Sequence, residues 1–193
     1  MNSRITKILN ETAELMTTLG KDPDFCRIIG CVCEAMIDCF NNGGKVLFCG
    51  NGGSAADAQH LAAELTGRFR FDRQPLPALA LHANTSFLTA VANDYSYDEI
   101  FSRMVKGFAR KGDILVGIST SGNSLNVLRA METAASEEMI TVGLTGSGGG
   151  KMKELCRHLI AVPTRDTPRI QEAHITIGHI ICELVEERLF KRT

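Results

Sequence analysis

Three polar residues stand at helical spacing and could bind a metal ion or transfer protons. Asp57, His60 and Glu64 occupy positions i, i+3 and i+7 of one segment, so a helix would place them on one face. An imidazole and a carboxylate one turn apart suit a divalent cation or general acid–base catalysis. A solvated polar stripe has the same pattern, and spacing alone favours that alternative. The choice depends on what precedes the helix.

A glycine-rich loop precedes it, and a second small-residue loop occurs later in the chain. Gly50–Ser54 follows the apolar run Val46–Cys49, and Ser119–Ser124 follows the apolar run Ile114–Ile118. A strand that ends in such a loop and continues into a helix presents free backbone N–H groups, and the helix dipole adds partial positive charge. The second loop also carries three serine hydroxyls and one threonine hydroxyl. Together the loops predict a site for a phosphorylated small molecule, bordered by the helix of Asp57, His60 and Glu64.

The last predicted helix carries a second set of polar residues. Its core stripe is apolar, and the polar set comprises Arg169, Gln171, Glu172, His174, His179 and Glu183. Glu172 and His179, seven residues apart, share a face more closely than Gln171 and His179, which are eight apart. Spacing does not decide which of these side chains faces a site.

The elements that would position these residues alternate between short apolar runs and helical stretches. Two helices come first, Ile5–Leu19 and Asp22–Phe40, and glycines follow both. Strands are predicted at Lys45–Cys49, Ala78–His82, Asp113–Ile118, Ile140–Leu144 and His158–Val162. Further helices are predicted at Ser54–Phe69, Ser86–Ala92, Asp98–Arg110, Ser124–Ser136, Lys151–Cys156 and Pro168–Phe190.

This alternation predicts an α/β fold. Strands separated by helices form a parallel sheet covered on both faces, that is, a doubly wound three-layer αβα sandwich. Residues 1–42 form an N-terminal helical arm, and the absence of a linker or repeat predicts a single domain over 1–193. In open sheets of this class the ligand binds at the carboxyl ends of the strands, where the two loops would meet.

Composition excludes several classes of function. The net charge is −1 and no segment concentrates Lys or Arg, which argues against nucleic acid as the ligand. No apolar run reaches the roughly 20 residues of a membrane span, and the N-terminus lacks a secretory pattern. We therefore expect a cytoplasmic protein whose seven cysteines are buried, reduced thiols that serve as small apolar residues and form no zinc site.

One motif points to a nucleotide cofactor but lacks its expected partner. Gly50, Gly52 and Ala55 match the dinucleotide pattern G-x-G-x-x-A. The acidic residue that should close a second strand about 20 residues later is missing, since Asp72 lies in a charged turn. The sequence therefore does not predict a nicotinamide cofactor.

Five stretches of the chain resemble the sugar isomerase (SIS) domain family and, within it, the isomerases of seven-carbon sugar phosphates. The matching stretches are 49–60, 64–69, 92–94, 117–124 and 169–174. The resemblance covers essentially the whole chain. It implies a flavodoxin-like SIS fold with a five-stranded parallel sheet, assembled as a homotetramer with its sites at subunit interfaces.

The resemblance also implies the site residues. Asn51, Gly52, Gly53, Asn93 and Asp94 match sugar-binding positions. The phosphate cradle corresponds to Ser119, Thr120, Ser121 and Ser124. One zinc ion per subunit would be held by His60, Glu64, Gln171 and His179. Glu64 and His179 match the acid–base pair, and Glu64 and Gln171 also contact substrate. Some relatives have an aspartate directly next to the residue that matches Arg169. This chain has Asp166-Thr167-Pro168 before Arg169, so Asp166 is the candidate to take the place of that aspartate.

The implied reaction is an aldose–ketose isomerisation of D-sedoheptulose 7-phosphate to D-glycero-D-manno-heptose 7-phosphate through an enediol. In bacteria this reaction is the first step of heptose synthesis for lipopolysaccharide or other surface glycans. Our hypothesis is that Glu64 abstracts the proton and His179 shuttles or donates it, since a carboxylate and an imidazole suit that task at neutral pH. Zinc would orient or stabilise the site. Three alternatives remain: a non-catalytic SIS protein that binds a replication initiator, another phosphosugar isomerase, and a phosphosugar-sensing regulator.

Overall fold

Two amphipathic helices open the chain. The computed structural model describes residues 1–190, with α1 at Asn2–Lys21 and α2 at Pro23–Asn41. The Asp22 carboxylate accepts hydrogen bonds from the backbone N–H groups of Asp24 and Phe25, and Pro23 occupies the first turn, so the second helix starts at this point. The helix α1 packs against α2 and against the last helix of the chain.

Five parallel strands form one sheet, as predicted. The strands are β1 (Val46–Gly50), β2 (Ala78–Ala80), β3 (Ile114–Ile118), β4 (Ile140–Thr145) and β5 (His158–Ala161). Their order is β2-β1-β3-β4-β5, and every neighbouring pair is parallel. The order reverses between β1 and β3, so the crevice above their carboxyl ends is the expected ligand position of a doubly wound sheet.

The helices between and after the strands are α3 (Gly53–Thr66), α4 (Thr85–Asp94), α5 (Ile100–Phe108), α6 (Leu125–Ser136) and α7 (Thr167–Phe190). Two predicted helices were wrong in part. The segment predicted as Asp98–Arg110 begins with a 3-10 turn at Tyr97–Glu99, and Lys151–Cys156 is replaced by a 3-10 helix at Gly150–Glu154. Gly148, Gly149 and Gly150 all have positive φ, which prevents a regular α-helical start there.

Successive residues of the central strands pack into different helical layers. Val46 and Phe48 of β1 face the core formed with α2, α3 and α7. Leu47 and Cys49 face the core formed with α5 and α6. This alternation follows from the two-residue period of a strand and produces the three layers of the sandwich.

All seven cysteines are free thiols, but they are not all buried. Cys33, Cys39, Cys49 and Cys182 are buried in the helical layers and the sheet, as expected for small apolar residues. Cys26 and Cys31 are exposed, so the expectation was wrong for these two. Among residues 1–190, no helix combines the length and the apolar character needed to span a membrane.

Candidate active site

Two loops meet above the carboxyl ends of β1 and β3. Gly50 at the end of β1 is paired in register with Ile118 at the end of β3. The chain then enters α3 after Gly52 and α6 after Ser124, so the N-termini of both helices lie at this edge of the sheet. The arrangement supports the predicted anion site, because the positive ends of two helix dipoles lie at one edge of the sheet.

The serine loop forms a compact cluster of hydroxyl groups. Ser119 Oγ lies 2.9 Å from Ser124 Oγ and 3.5 Å from Ser121 Oγ. Ser119 is buried, whereas Ser121 is exposed and reaches solvent. Gly122 has φ +64°, and a Cβ at this position would lie 2.1 Å from the Gly149 carbonyl oxygen. The turn of this loop therefore requires glycine at position 122, where the Gly149 backbone packs closely against the loop.

The first loop brings the sugar-site candidates to the N-terminus of α3. Gly52 has φ +56°, a conformation that favours glycine, and both Gly52 and Gly53 are exposed. A Cβ at Gly53 would lie 2.5 Å from Gln171 Nε2, so the absence of a side chain makes room for this amide. Gln171 of α7 thus borders the same loop as Asn51.

His60, Glu64 and His179 converge on one point. His60 Nε2 lies 3.1 Å from Glu64 Oε1 and 3.3 Å from His179 Nε2. The two imidazole rings meet edge to face, with centroids 4.9 Å apart. One potential ligand atom from each of the three residues lies within 4.8 Å of the others, so the cluster can hold a metal ion. Two imidazoles and a carboxylate are a donor set that zinc accepts.

Gln171 is separated from this cluster along α7. It precedes His179 by eight residues, a rise of about 12 Å in an α-helix. Glu172, which the spacing placed closer to the face of His179, turns toward the N-terminal arm: Thr12 Oγ1 donates a hydrogen bond to its carboxylate at 2.9 Å, and Arg169 pairs with it. The tertiary packing therefore assigns Gln171 to the α3 side and Glu172 to the α1 side.

The other polar residues singled out in the sequence occupy different places. Asn93 and Asp94 end α4, are exposed, and are joined by a hydrogen bond from Asn93 Nδ2 to Asp94 Oδ1 of 2.9 Å. Glu183 pairs with Arg70 at 2.8 Å. Asp166 is exposed and immediately precedes α7.

Asp57 is half-buried on α3, with one carboxylate oxygen that is buried and has no hydrogen-bond partner among residues 1–190. Burial raises the pKa of Asp57, and the neighbouring charge of His60 opposes this effect. The face shared by Asp57, His60 and Glu64 is therefore not a fully solvated polar stripe.

His174 of α7 is fully buried. Its Nε2 donates a hydrogen bond to the Thr145 carbonyl oxygen at 3.2 Å, so the neutral ring carries its lone pair on Nδ1, which has no partner among the described residues. Burial lowers the pKa of His174 to about 4, although the bond to Thr145 acts in the opposite direction. His174 is thus a neutral link between α7 and the end of β4.

A buried ion pair near the histidine cluster escaped the sequence analysis. Glu186 is fully buried and accepts hydrogen bonds from the backbone N–H groups of Phe69 and Arg70, at 2.9 and 2.7 Å, and from Arg73 Nε at 2.9 Å. The Phe69 ring then lies 5.6 Å from the His179 ring. Arg73 and Glu186 are 113 residues apart, so no local spacing could have indicated the pair.

This network also changes the titration of Glu186. Burial by itself would raise the pKa of the carboxyl group. The bonds from the Arg70 and Phe69 N–H groups and the positive charge of Arg73 outweigh that effect and lower the pKa below its ordinary value. Arg73 also donates to the carbonyl oxygens of Glu64 and Leu65, so the pair holds the last turn of α3.

Comparisons with known proteins show the family and the fold of the chain. The family description "SIS domain" matches residues 27–146. A phosphoheptose isomerase of Aneurinibacillus thermoaerophilus is 49% identical over 191 residues, which cover 99% of this chain and 96% of the relative. The solved phosphoheptose isomerase of Neisseria gonorrhoeae superposes with a TM-score of 0.90 at 42% identity, covering 96% of this chain and 98% of that one. The corresponding structure from Francisella tularensis has a TM-score of 0.91 at 35% identity, covering 96% and 97%.

Proposed function

Because the chain belongs to the phosphoheptose isomerases of the SIS domain family, we propose that it converts D-sedoheptulose 7-phosphate to D-glycero-D-manno-heptose 7-phosphate. The observation that carries the proposal is that Glu64 and His179 lie close together although they are 115 positions apart in the sequence. The same chain has a hydroxyl-rich loop at the switch point of the sheet. This combination supports an enzyme that holds a phosphate at one end of its substrate and moves protons at the other.

The serine loop is the proposed phosphate cradle. Ser119, Thr120, Ser121 and Ser124 offer hydroxyl donors, and the first turn of α6 offers backbone N–H groups and the positive end of its dipole. These groups recognise a phosphate without a lysine. The sugar chain would extend from this anchor past Asn51, Gly52, Gly53 and Gln171, with Asn93 and Asp94 as further contacts.

Four proton transfers, two by Glu64 and two by His179, complete the isomerisation. In our proposal the Glu64 carboxylate takes a proton from C1 of the ketose and later returns it to C2. His179 donates a proton to the C2 oxygen and takes one from the C1 oxygen, so the enediol forms and collapses without net loss of protons. Each general acid or base contributes roughly 10²–10⁴-fold to the rate.

A zinc ion fits the cluster of His60, Glu64 and His179, since imidazole nitrogen and carboxylate oxygen are ligands it accepts. We propose that these three residues hold one zinc ion per subunit; for Gln171, a role as a ligand rests on the resemblance alone. When bound, zinc supplies Lewis-acid polarisation of the sugar oxygens. Glu64 Oε1 faces His60. A lone pair that binds zinc cannot accept a proton at the same time, so Glu64 and His179 would not act as ligand and as acid or base through the same atom at one instant.

We further propose a single domain over 1–193 and a homotetramer with sites at subunit interfaces. Both cores share the one sheet, which supports the single domain; residues 191–193 lie outside the described part. Ile180 and Leu184 of α7 are 41% and 44% exposed although they are apolar. Both follow His179 within about one and a half turns of α7, and apolar groups exposed together favour a subunit contact beside the site. Light scattering on the purified protein measures the oligomeric state.

The test of the function is turnover of sedoheptulose 7-phosphate by zinc-loaded protein, with Glu64→Gln and His179→Gln beside the wild type. We expect aldoheptose product from the wild type and a loss of at least about 100-fold in each variant. His158→Gln is the matched control, since His158 begins β5 at the opposite edge of the sheet. Phosphosugar binding without turnover would contradict the isomerase, and near-normal turnover by Glu64→Gln would contradict the assignment of the base.

A further inference from the structure

A pair of side-chain amides joins the two ligand loops. Asn51 Nδ2 donates a hydrogen bond to Asn126 Oδ1 at 2.8 Å, and Asn126 Nδ2 donates one to Asn51 Oδ1 at 2.9 Å. Asn51 belongs to the loop between β1 and α3, whereas Asn126 lies in the first turn of α6 and is 3% exposed. The pair therefore bridges the switch point, directly between the sugar-site loop and the phosphate cradle.

A backbone group determines how both amides are oriented. The Val127 N–H can only donate, and it donates to Asn126 Oδ1 at 2.9 Å. Asn126 must then direct Nδ2 at Asn51, and Asn51 must direct Oδ1 at Asn126. The Tyr97 hydroxyl donates a second hydrogen bond to Asn51 Oδ1 at 3.1 Å. Both lone pairs of this oxygen are thus occupied by protein donors.

This arrangement limits what Asn51 can do for a substrate. Its carbonyl oxygen is saturated, and one Nδ2 hydrogen is used by Asn126. The other Nδ2 hydrogen has no partner among residues 1–190. The Asn51 side chain is therefore a donor toward a bound ligand, aimed by Asn126 and not free to present its oxygen.

We propose that Asn126 is a positioning residue for the sugar: it orients the Asn51 amide as a donor to a sugar oxygen and sets the separation between the phosphate cradle and the N-terminus of α3. This inference rests on the proposed function, because it assigns Asn126 a part in the same site. Asn126 acts through Asn51 and contacts no reacting atom.

The proposal separates the two ends of the substrate. The phosphate end is held by the hydroxyls of the serine loop, which Asn126 does not contact in the described hydrogen bonds. The sugar end depends on the alignment of the first loop, and misalignment of reacting groups by about 1 Å can cost about 100-fold in rate. Loss of Asn126 should therefore lower kcat by about 10- to 100-fold while KM and inhibition by inorganic phosphate change little.

A double-mutant cycle on kcat tests this role, with the variants Asn51→Ala, Asn126→Ala and the double variant. If Asn126 acts through Asn51, the double variant is no slower than Asn51→Ala alone. Asn126→Asp provides a second measurement, since it keeps an acceptor for the Val127 N–H but sets a carboxylate oxygen against Asn51 Oδ1. We expect it to be as slow as Asn126→Ala.

Thr141→Val is the matched control for loss of a buried hydrogen-bonding group. Thr141 is 4% exposed and lies near the start of β4, at the end of the strand away from the two loops. Its hydroxyl donates to the Leu155 carbonyl oxygen and accepts from the Arg157 N–H. It should lose stability but keep kcat.

Three results would overturn the proposal: losses in kcat that multiply in the double variant, wild-type kcat in Asn126→Asp, or wild-type kcat in Asn51→Ala. Wild-type protein that binds sedoheptulose 7-phosphate without turnover would contradict the proposed function instead. The cycle is then measured on affinity for that sugar phosphate, with inorganic phosphate as the reference ligand and the same criterion of non-additivity.

Discussion

Gly178 of α7 lies directly against Leu61 of α3. A Cβ at Gly178 would lie 2.5 Å from Leu61 Cδ2 and 2.7 Å from Cδ1. Both positions are buried, so the two helices approach closely at this level. Their neighbours in sequence, His179 and His60, place their Nε2 atoms 3.3 Å apart. The missing side chain of Gly178 thus allows the helix contact that assembles the histidine cluster.

Gly178→Ala should separate α3 and α7 and disturb the cluster. Leu61 is packed in the core and cannot move away freely, so we expect a loss of about 1–3 kcal/mol in unfolding free energy, together with weaker zinc retention and slower turnover. Elemental analysis and denaturant unfolding measure the first two effects. Gly30→Ala is the control, because a Cβ at this exposed helical position meets nothing within 4 Å. Adding Leu61→Val should restore part of the zinc retention; no recovery would contradict the steric cause.

Metal binding itself is tested by His60→Gln. We expect zinc content near one ion per chain in the wild type and a clear loss in the variant, since His60 Nε2 lies between Glu64 and His179. A metal that binds the folded state also stabilises it, so chelator should lower the thermal midpoint of the wild type more than that of the variant. His158→Gln should behave as the wild type does. Equal zinc content in all three proteins would exclude the cluster as the binding site.

Glu186→Gln should destabilise the protein strongly. Removing one partner of a buried ion pair leaves the charge of Arg73 uncompensated, and such changes cost about 3–5 kcal/mol. Glu183→Gln is the matched control on the same helix: it removes a more exposed pair with Arg70, for which about 1 kcal/mol or less is expected. Urea unfolding at neutral pH compares the two. Similar losses in both variants would show that the Glu186 pair is not the stronger contact.

The pH dependence of the Glu186 contribution follows from the lowered pKa. The folded state binds its proton more weakly than the unfolded state, so the stabilisation is present above the ordinary pKa and is lost as pH falls through the folded value. We therefore expect the wild type to lose this contribution only below about pH 4.5, the ordinary pKa of the group. The unfolding free energy of Glu186→Gln should fall less steeply in that range.

His174 makes the unfolding free energy depend on pH in a higher pH range than Glu186 does. Its folded pKa is about 4, against an ordinary value of 6.5, so between these values the unfolded state binds more protons than the folded state. The unfolding free energy should therefore decrease as pH falls from 6.5 toward 4, by up to ~3 kcal/mol. His174→Gln keeps an N–H donor for the Thr145 carbonyl oxygen and should flatten this slope. A variant with the wild-type slope would assign the effect to other groups.

Gly122→Ala should damage the phosphate cradle. A methyl group would meet the Gly149 carbonyl oxygen at 2.1 Å, in addition to the strain of a residue with φ +64°. Gly148→Ala is the control, since it has φ +85° and open space, so it should cost only about 1–2 kcal/mol of left-handed strain. Affinity for inorganic phosphate should fall sharply in Gly122→Ala and remain in Gly148→Ala. Equal phosphate affinities in Gly122→Ala and Gly148→Ala would show that the serine loop does not bind the phosphate.

The order of elements and the position of both loops could be predicted from the sequence alone. Apolar runs such as Ile114–Ile118 and the glycine and hydroxyl residues after them act locally, through strand burial and backbone conformation. Local sequence also predicts that His60 and Glu64 share a face of the helix, because residues four positions apart lie about one turn from each other. The type of helix, rather than its position, differed from the prediction after the positive-φ glycines Gly148–Gly150, where a 3-10 helix replaces the predicted α-helix.

Only the tertiary structure decided which side of α7 meets α3. Periodicity grouped Glu172 with His179, yet Glu172 bonds Thr12 of the N-terminal arm and Gln171 borders Gly53. The rotation of α7 is set by side-chain packing, above all by the close contact of Gly178 with Leu61, and such contacts leave no periodic trace in the sequence. The same holds for the pairs Asn51–Asn126 and Arg73–Glu186, whose members are 75 and 113 residues apart.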